Sequence, residues 1–370
     1  MSLPHKPRVL LLIPHLGGGG AERVIETLAR ALSPVRYDIH LALLAPALYS
    51  DPQLPETVTV HHFCVNRVRY CASRLLHLIW KIRPNLILSG IAHLNLLVLM
   101  LKPLLPHSTR IVVRQNGALE ATLASHSRLY SRRAYSFSYR RADRVICQTQ
   151  SMVRELQQGL GVEHAKLLIL PNPTDLRSLR RGTLPNPGIT IAPLLLSVGR
   201  LVPEKGFDIL LDAFATLHSA FCSSELIIVG SGPQESRLQQ QSEALGIQNR
   251  VHFVGHVSEP IARFRHASLF VLSSRTEGLP NALLEAAAVG LPIVATPASD
   301  GVVDLLQNRE GAWLATETAP DTLRAALEQA LSVVQPGQRY SHPWIESYDL
   351  SCAIPAYEDA INHVIAGSAA

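Results

Sequence analysis

The chain has 370 residues, 47% hydrophobic and 17% charged, which is enough apolar sequence for two domains built on buried parallel sheets. Its five scattered cysteines form no C-x-x-C pair, which excludes a disulfide framework or a zinc site and favours a reducing compartment. Residues 1–185 carry 24 Lys and Arg against 10 Asp and Glu, and residues 186–370 carry 10 against 19, so only the first half should attract an anionic partner.

A glycine-rich loop follows the first predicted strand. Residues 8–13 (RVLLLI) are typical of a buried strand, glycines fill positions 17–20, and a helix opens near Glu22. This order suits a loop that faces a phosphate, because a helix N-terminus presents free amides. The loop lacks the G-x-G-x-x-G spacing, since Glu22 stands where the last glycine belongs, and this disfavours a nicotinamide oxidoreductase.

Strands and helices then alternate through residues 1–181, which we predict to form an N-terminal α/β domain built on a parallel sheet. Residues 182–193 (GTLPNPGITIAP) hold three prolines and two glycines and are predicted to be a linker. A second series of strands and helices fills residues 194–345, and a last helix is predicted within the segment 346–370. The remaining strands are predicted at residues 39–44, 58–62, 86–88, 110–113, 144–147, 166–170, 194–198, 226–229, 251–254, 269–272, 293–295 and 312–314.

Residues 273–296 (SSRTEGLPNALLEAAAVGLPIVAT) predict a strand–loop–helix–strand unit. Pro280 breaks the apolar pattern, and Asn281 is placed to cap the helix. The helix N-terminus should then lie at the carboxyl edge of a parallel sheet, where such sheets bind ligands and where anions are favoured. Glu277 and Glu285 flank this point, and carboxylates suit sugar hydroxyls, which donate to them. The stretch therefore predicts a site for a phosphate joined to sugars.

Three other loops follow strands of the second domain at the same edge. Gly199 and Arg200 come directly after its first strand, and Lys205 stands five residues further on. Two cations there can neutralise a diphosphate leaving group. The other two loops contain Gly230, Gly232, Gly255 and His256. The alternative for each loop is an ordinary surface loop with solvated charges, and a histidine such as His256, taken alone, is more often an ordinary loop residue.

Four stretches of the second half occur together in a definite order: GRLVPEKG, GSGP, VHFVGHV and EGLPNALLEAAAVGLPIV. With seven residues between Glu277 and Glu285, they resemble the donor half of GT-B glycosyltransferases, specifically glycosyltransferase family four (group 1 type). GGGGAERV, ADRVICQTQSM and LPNP in the first half resemble the family's other landmarks. The resemblance spans the whole chain and implies an α/β protein with two Rossmann-like parallel-sheet domains that face each other across a cleft. It implies that residues 1–181 form the acceptor-side domain and residues 194–345 the nucleotide-sugar-binding domain, and that the segment 346–370 is a helix that packs back on the first domain.

The resemblance also implies roles for the loop residues. Arg200 and Lys205 are expected to hold the nucleotide diphosphate, Glu285 the ribose, and Glu277 the donor sugar. Arg200, Lys205 and Glu277 thereby become the catalytic candidates that stabilise the leaving group and transition state. Transfer with retention and without a metal is implied, in keeping with the lack of a D-x-D motif, and no cofactor is expected. The other expected donor-binding residues are Gly18, Gly19, Gly230, Gly232, Gly255, His256, Val257, Gly278, Leu279, Pro280, Asn281 and Leu284.

The chain departs from the family's pattern after the fifth strand of the first domain. Many members carry a histidine there, near the donor sugar, whereas this chain has Arg114, Gln115 and Asn116. Asn116 is retained as a catalytic candidate, and Arg114, Asn116 and His93 as acceptor-side candidates, although His93 is equally consistent with a structural role. A retaining front-face mechanism can pass the acceptor proton to the leaving phosphate, so no catalytic base is assigned.

Residues 128–144 (RLYSRRAYSFSYRRADR) pack six arginines and four aromatic residues into 17 positions. One interpretation is a helix with solvated arginines and Tyr135 or Phe137 partly buried. The other is a patch that meets an anionic membrane surface. Nucleic acid is not expected as a partner, because no RNA- or DNA-binding motif accompanies the charge. Residues 1–7 do not suit a signal peptide and no apolar run approaches roughly 20 residues, so we expect a cytoplasmic protein, soluble or peripheral on the inner membrane face.

The main hypothesis is a retaining hexosyltransferase that uses a nucleotide-diphosphate sugar, most simply a UDP-sugar. Its acceptor would be a sugar or lipid-linked glycan in bacterial-type polysaccharide or glycolipid biosynthesis. Two alternatives stay open at this point. One is a phosphorylase or small-molecule glycosyltransferase of the same fold, and the other is a catalytically silent subunit that binds nucleotide sugars.

Overall fold

The computed structural model describes residues 6–17, 19–46, 54–65, 71–124, 132–181, 192–257, 261–335 and 337–367. The chain forms two compact units, Met1–Pro173 with Tyr348–Ala370, and Thr174–Ser347. Most of the predicted linker, residues 182–191, lies outside the described residues. Within the described ranges, no helix combines the length and the apolar character needed to cross a membrane.

The first unit is built on a sheet of seven parallel strands. They are β1 (Arg8–Ile13), β2 (Asp38–Leu43), β3 (Val58–His62), β4 (Leu86–Ser89), β5 (Arg110–Arg114), β6 (Arg144–Cys147) and β7 (Leu167–Ile169). The spatial order is β3-β2-β1-β4-β5-β6-β7. Because the order reverses between β1 and β4, the loops after these two strands open at a topological switch point.

Helices cover both faces of this sheet, which explains why its strands are continuous apolar runs. The helices are α1 (Gly20–Ala31), α2 (Ala72–Ile82), α3 (Ala92–Leu101), α4 (Leu119–Ala124), α5 (Arg132–Tyr139) and α6 (Gln150–Leu160). Apolar side chains of α2, α3, α5 and α6 form one core with the sheet, and those of α1 contribute to the core on the opposite face.

The second unit repeats the plan with six parallel strands. They are β8 (Leu194–Val198), β9 (Glu225–Val229), β10 (Val251–Phe253), β11 (Leu269–Leu272), β12 (Ile293–Ala295) and β13 (Ala312–Leu314). The spatial order is β10-β9-β8-β11-β12-β13, so the switch point lies between β8 and β11. The helices are α7 (Leu176–Arg180), α8 (Phe207–Ala215), α9 (Glu235–Ala244), α10 (Ile261–His266), α11 (Asn281–Ala288), α12 (Asp300–Leu306) and α13 (Pro320–Val333).

The last helix, α14 (Leu350–Ala366), belongs to the first unit and packs beside α1 on its sheet. Glu358 holds it there: its carboxylate accepts from the Ser33 amide at 3.0 Å and from Arg36 Nη1 at 2.8 Å. The Tyr37 hydroxyl lies 2.7 Å from Asn362 Oδ1. Two parallel-sheet domains with a returning C-terminal helix are therefore confirmed, and every predicted strand forms with its bounds shifted by at most one residue.

Candidate functional site in the second unit

The loops after β8 and β11 lie side by side, because these neighbouring strands mark the point where the strand order reverses. Ser273 Oγ donates to the carbonyl of Lys205 at 3.0 Å, and the Arg275 amide donates to the carbonyl of Glu204 at 2.8 Å. Two of the loops singled out in the sequence thus meet at one edge of the second sheet.

Lys205 and Glu277 form an ion pair between these loops. Lys205 Nζ lies 2.5 Å from Glu277 Oε1, and Ser274 Oγ donates to the same oxygen at 2.7 Å. The side chains are only 24% and 10% exposed, so water screens this pair less than it screens a surface pair. The ion pair therefore places one positive and one negative group at the carboxyl edge of the second sheet.

The backbone around Glu277 is fixed by the loop that follows β12. The Glu277 amide donates to the carbonyl of Ala298 at 3.1 Å, and Ser299 Oγ donates to the carbonyl of Gly278 at 3.2 Å. Gly278 itself is buried. The carboxylate of Glu277 therefore stands on a braced loop.

Helix α11 begins at Asn281, with Pro280 in the N-cap position and no side-chain cap. The prediction that Asn281 caps the helix is wrong by one residue, because the Pro280 carbonyl already accepts from the amide of Leu283 at 3.1 Å. One turn further on, Glu285 is 7% exposed. Leu279 and Leu284 are buried beside it.

Arg200 is exposed and forms no ion pair with any residue in the described ranges. Its planar guanidinium, with five N–H donors, is suited to bidentate contact with a phosphate. His256 is exposed and Val257 is half-buried, and both follow β10 in the same sheet. Lys205 at this edge is paired with a carboxylate, whereas the charge of Arg200 is neutralised by no carboxylate of the described residues.

Gly230 and Gly232 allow the loops after β8 and β9 to touch. A Cβ on Gly230, whose φ is +141°, would lie 1.8 Å from the carbonyl oxygen of Gly199. A Cβ on Gly232 would lie 2.4 Å from the carbonyl oxygen of Leu201. Gly255 differs, because its φ is +70° but nothing lies within 4 Å of the Cβ position. The first two glycines thus have a packing role that does not depend on a ligand.

Sequence reasoning missed the pair formed by Arg275 and Asp208. Both guanidinium nitrogens of Arg275 lie 2.7 Å from the carboxylate oxygens of Asp208, and Arg275 also donates to the Pro203 carbonyl at 2.8 Å. The hydrogen bond from Arg275 lowers the pKa of Asp208. The pair ties the loop after β11 to the start of α8, on both sides of Lys205. Because the partners are 67 positions apart, no local spacing could have indicated it.

Candidate residues of the first unit

The glycine-rich loop after β1 is hydrogen-bonded to the first turn of α1, the helix that follows it. Gly18 lies outside the described residues, and Gly19 is the N-cap of α1. The Gly19 amide donates to Glu22 Oε2 at 3.1 Å. Glu22, the residue that breaks the dinucleotide spacing, therefore acts as a capping carboxylate at the helix N-terminus.

Arg114 ends β5 and is 2% exposed. Its guanidinium donates to the side-chain oxygens of Asn116 and Asn172, and the Asn116 amide nitrogen donates to the carbonyl of Gly90. Tyr357 of α14 also interacts with it, and burial lowers the pKa of Arg114. The contacts of Asn116 use both ends of its amide, so this side chain ties the loop after β5 to the loop after β4.

His93 lies in the first turn of α3, after β4, and is half-buried. The three acceptor-side candidates therefore follow the neighbouring strands β4 and β5. Asn172, in the LPNP stretch, joins them by accepting a hydrogen bond from Arg114, and it was not among the predicted site residues. No group of three or more His, Cys, Asp or Glu in the described part of the chain is arranged to hold a metal ion.

Comparison with known proteins

Two Rossmann-like parallel-sheet units, with cations and carboxylates at the switch point of the second, define the GT-B class of glycosyltransferases. The model of glycosyl transferases group 1 matches residues 189–340, and that of Glycosyltransferase Family 4 matches residues 18–178. The chain belongs to glycosyltransferase family four and is a glycosyltransferase.

Two relatives match along most of the chain. An uncharacterised glycosyltransferase of Haemophilus influenzae is 27% identical over 303 residues, 80% of this chain and 82% of its own. The N-acetylgalactosamine-N,N'-diacetylbacillosaminyl-diphospho-undecaprenol 4-alpha-N-acetylgalactosaminyltransferase of Campylobacter jejuni is 24% identical over 312 residues, 81% and 83% of the two chains.

A solved structure supports the fold. Anabaena HepE in complex with UDP superimposes with a TM-score of 0.75 at 19% sequence identity, over 96% of this chain and 100% of that one. At this identity the likeness concerns the fold alone. The GT-B architecture expected from the sequence is confirmed.

Proposed function

We propose that this glycosyltransferase moves a hexose from a UDP-sugar to a sugar or lipid-linked glycan acceptor, with retention of anomeric configuration and without a metal ion. The product would belong to a bacterial-type polysaccharide or glycolipid. The observation that carries the proposal is the Lys205–Glu277 pair beside Arg200, at the switch point of the second sheet and at the start of α11. It combines groups for a diphosphate and groups for sugar hydroxyls in one place.

Binding of the donor should change the partner of Lys205. In the structure, its ammonium group lies 2.5 Å from Glu277 Oε1 and is neutralised by that carboxylate. A diphosphate at Lys205 and Arg200 carries more charge than one carboxylate, so it should draw the ammonium away. Glu277 is then free to accept hydrogen bonds from the donor sugar, while the buried Glu285 is proposed to meet the ribose.

The reaction can be written without a protein base. The bond between the anomeric carbon and the β-phosphate oxygen breaks, and a bond from the acceptor oxygen to the same face of that carbon forms. The acceptor proton passes to the leaving phosphate, which departs as UDP. Arg200, Lys205 and the N-terminus of α11 are proposed to stabilise the charge that develops on the phosphate. Asn116, which is neutral, is proposed only as a support of the acceptor-side loop.

The choice of UDP and of the acceptor is supported by similarity. Anabaena HepE has been crystallised with UDP, and the Campylobacter relative is named for an acceptor linked to diphospho-undecaprenol. A lipid-linked acceptor lies at a membrane, and the net charge of +14 in residues 1–185 suits an anionic surface. We therefore propose a cytoplasmic protein that meets the inner face of the membrane.

Calorimetric titration with UDP, GDP and ADP, followed by the corresponding sugars, tests the donor. We expect UDP to bind at least about tenfold more tightly than GDP or ADP, and Arg200→Ala with Lys205→Met to abolish binding of all three. NMR of the anomeric proton after transfer, or after slow donor hydrolysis, reports retention. Turnover of UDP-sugar in the presence of a chelator is expected to be undiminished. Tighter binding of GDP or ADP would overturn the choice of a UDP-sugar. An inverted product would overturn retention, and loss of turnover with the chelator would overturn metal independence.

A further inference from the structure

Four large apolar side chains of the first unit are exposed around one group of cations. Trp80 is 48% exposed, Met100 67%, Leu104 56% and Phe137 64%. Phe137 lies in the basic aromatic stretch, for which one interpretation of the sequence placed Tyr135 or Phe137 partly in the core. Tyr135 and Tyr139 are fully buried, whereas Phe137 of the same helix is exposed. Helix α5 therefore turns two aromatic rings inward and one toward solvent.

These side chains share one edge of the sheet. In a parallel sheet, each connecting helix runs back from the carboxyl edge and ends near the amino edge of the next strand. Trp80 lies near the end of α2, Met100 near the end of α3, and Phe137 near the end of α5, while Leu104 follows α3. Because α3 packs between α2 and α5, the three helix ends are neighbours.

Direct contacts connect two of these side chains, Trp80 and Phe137, through Leu104, Lys102 and Arg141. Trp80 Nε1 donates to the carbonyl of Leu104 at 3.0 Å. Lys102, two residues earlier, donates from Nζ to the carbonyl of Arg141 at 2.7 Å. The guanidinium of Arg141 lies 4.5 Å from the centre of the Phe137 ring. A continuous path thus runs from Trp80 to Phe137. We call this the amino-edge surface: Trp80, Lys81, Met100, Lys102, Leu104, Phe137, Arg140 and Arg141.

The charged residues around the amino-edge surface are positive with a single exception. Residues 72–83, 92–110 and 132–144 together hold ten Lys and Arg and a single acidic residue, Asp143. Asp143 is already paired with Lys102 at 2.8 Å and with Arg110 at 3.4 Å. The backbones of Arg140 and Arg141 are fixed by Lys166 and Lys102, while both arginine side chains are exposed. The partner of this surface must therefore be anionic and must accept apolar side chains.

We propose that the amino-edge surface docks the protein on an anionic lipid bilayer. Exposed Phe, Trp, Leu and Met side chains can enter the boundary between headgroups and acyl chains, while the surrounding cations contact anionic headgroups. An acidic protein would match the charge, but apolar side chains that project singly from three helix ends suit a fluid interface better than a shaped pocket. A bilayer at the amino edge leaves the carboxyl edge, with Arg114 and Gly19, uncovered. The surface does not depend on the proposed transfer reaction.

Vesicle flotation tests the surface with the full chain. One vesicle set contains phosphatidylcholine alone, and the other contains equal parts of phosphatidylglycerol and phosphatidylcholine. The protein should float with the anionic vesicles at low salt, lose most of that binding at high salt, and stay unbound with the neutral vesicles. Two double variants are compared, M100S/F137S and R140E/R141E, and each should lower the partition by about tenfold or more.

Matched controls lie in the second unit. Val333→Ser removes an exposed apolar residue (53% exposed) and Arg309→Glu reverses an exposed charge, and neither should change flotation. Circular dichroism melting of each variant, and UDP titration to the second unit, establish that the protein is folded. Absence of flotation by the folded wild type overturns the proposal, as does flotation that both double variants retain. Self-association that M100S/F137S abolishes, without vesicle binding, would assign the surface to a second copy instead.

Discussion

Lys205 Nζ lies 2.5 Å from Glu277 Oε1, so the cation expected to hold a diphosphate is neutralised by the carboxylate expected to hold the sugar. Glu277→Gln separates these two roles. The substitution frees the charge of Lys205 and removes a negative group from the diphosphate site, so UDP should bind as tightly as to the wild type or more tightly. Transfer should fall by about 10²- to 10³-fold, because the contact to the reacting sugar is lost.

The measurement is calorimetric titration of UDP beside the rate of UDP formation from UDP-sugar. Glu204→Gln is a matched control, since Glu204 is exposed and stands next to Lys205 in sequence. We expect this control to leave both quantities nearly unchanged. A Glu277→Gln protein that loses UDP affinity as well as turnover would contradict the separation of roles.

Arg200→Ala should act mainly on the diphosphate. Arg200 is exposed and has no ion-pair partner among the described residues, so its removal should leave the melting temperature within about 1 °C of the wild type. Affinity for UDP should fall about tenfold or more, whereas affinity for uridine, which lacks phosphates, should be unchanged. Titration with both ligands checks this, and an equal loss for both would show that Arg200 supports the site as a whole.

Gly230→Ala and Gly255→Ala distinguish backbone packing from backbone conformation. Both glycines have positive φ, at +141° and +70°, so both variants carry a conformational cost of about 1–3 kcal/mol. Only at Gly230 would the new Cβ lie 1.8 Å from a carbonyl oxygen, that of Gly199. Gly230→Ala should therefore lower the melting temperature further and disrupt UDP binding, while Gly255→Ala retains binding. Thermal melts without UDP measure the loss of stability, and the shift on adding UDP measures binding. If the two variants gave equal melting temperatures and equal shifts, the close contact between Gly230 and Gly199 would have no role in stability or binding.

Asp208→Asn removes the ion pair with Arg275 and should lower the stability of the protein by an amount that depends on pH. Arg275 lowers the pKa of Asp208 below its ordinary value of 3.8, so the folded form binds the proton less readily than the unfolded chain. The stabilisation is thus fully present above pH 3.8 and is lost as the pH falls through the lower, folded pKa. Because both side chains are partly exposed, about 1 kcal/mol is expected at neutral pH, or roughly 2–4 °C in melting temperature. Melts at pH 7 and pH 3 should show the difference between wild type and variant narrowing at the lower pH.

The sequence predicted the fold because parallel strands buried on both faces appear as short apolar runs, and β1, β8 and β11 are of this kind. It also predicted which loops share an edge, since the carboxyl ends of such strands must meet there. It could not predict partners across the loops. Lys205 and Glu277 are 72 positions apart, and the two loops that carry them are joined by the hydrogen bond from Ser273 to the carbonyl of Lys205. The exposure of Phe137 was likewise unpredictable, because alternating aromatics in α5 do not show which ring faces the core.

A histidine pair at the edge of the first sheet should make the stability of that unit depend on pH. His40 Nδ1 and His61 Nε2 lie 3.0 Å apart on the adjacent strands β2 and β3, and their rings stack with centroids 5.3 Å apart. Burial, followed by His40, Lys81 and His62, lowers the pKa of His61 below its ordinary value of 6.5.

The unfolded chain therefore takes up a proton at His61 near pH 6.5, whereas the folded chain does so only at a lower pH. Stability from this group is complete above pH 6.5 and declines as the pH falls below it. Urea unfolding of the wild type at pH 7.5 and pH 5 should give a lower midpoint at pH 5, and His61→Gln should reduce this difference. His107→Gln, at an exposed position outside the pair, is the control and should retain the wild-type difference. If His61→Gln left the difference intact, the pH dependence would have to arise from other groups in the first unit.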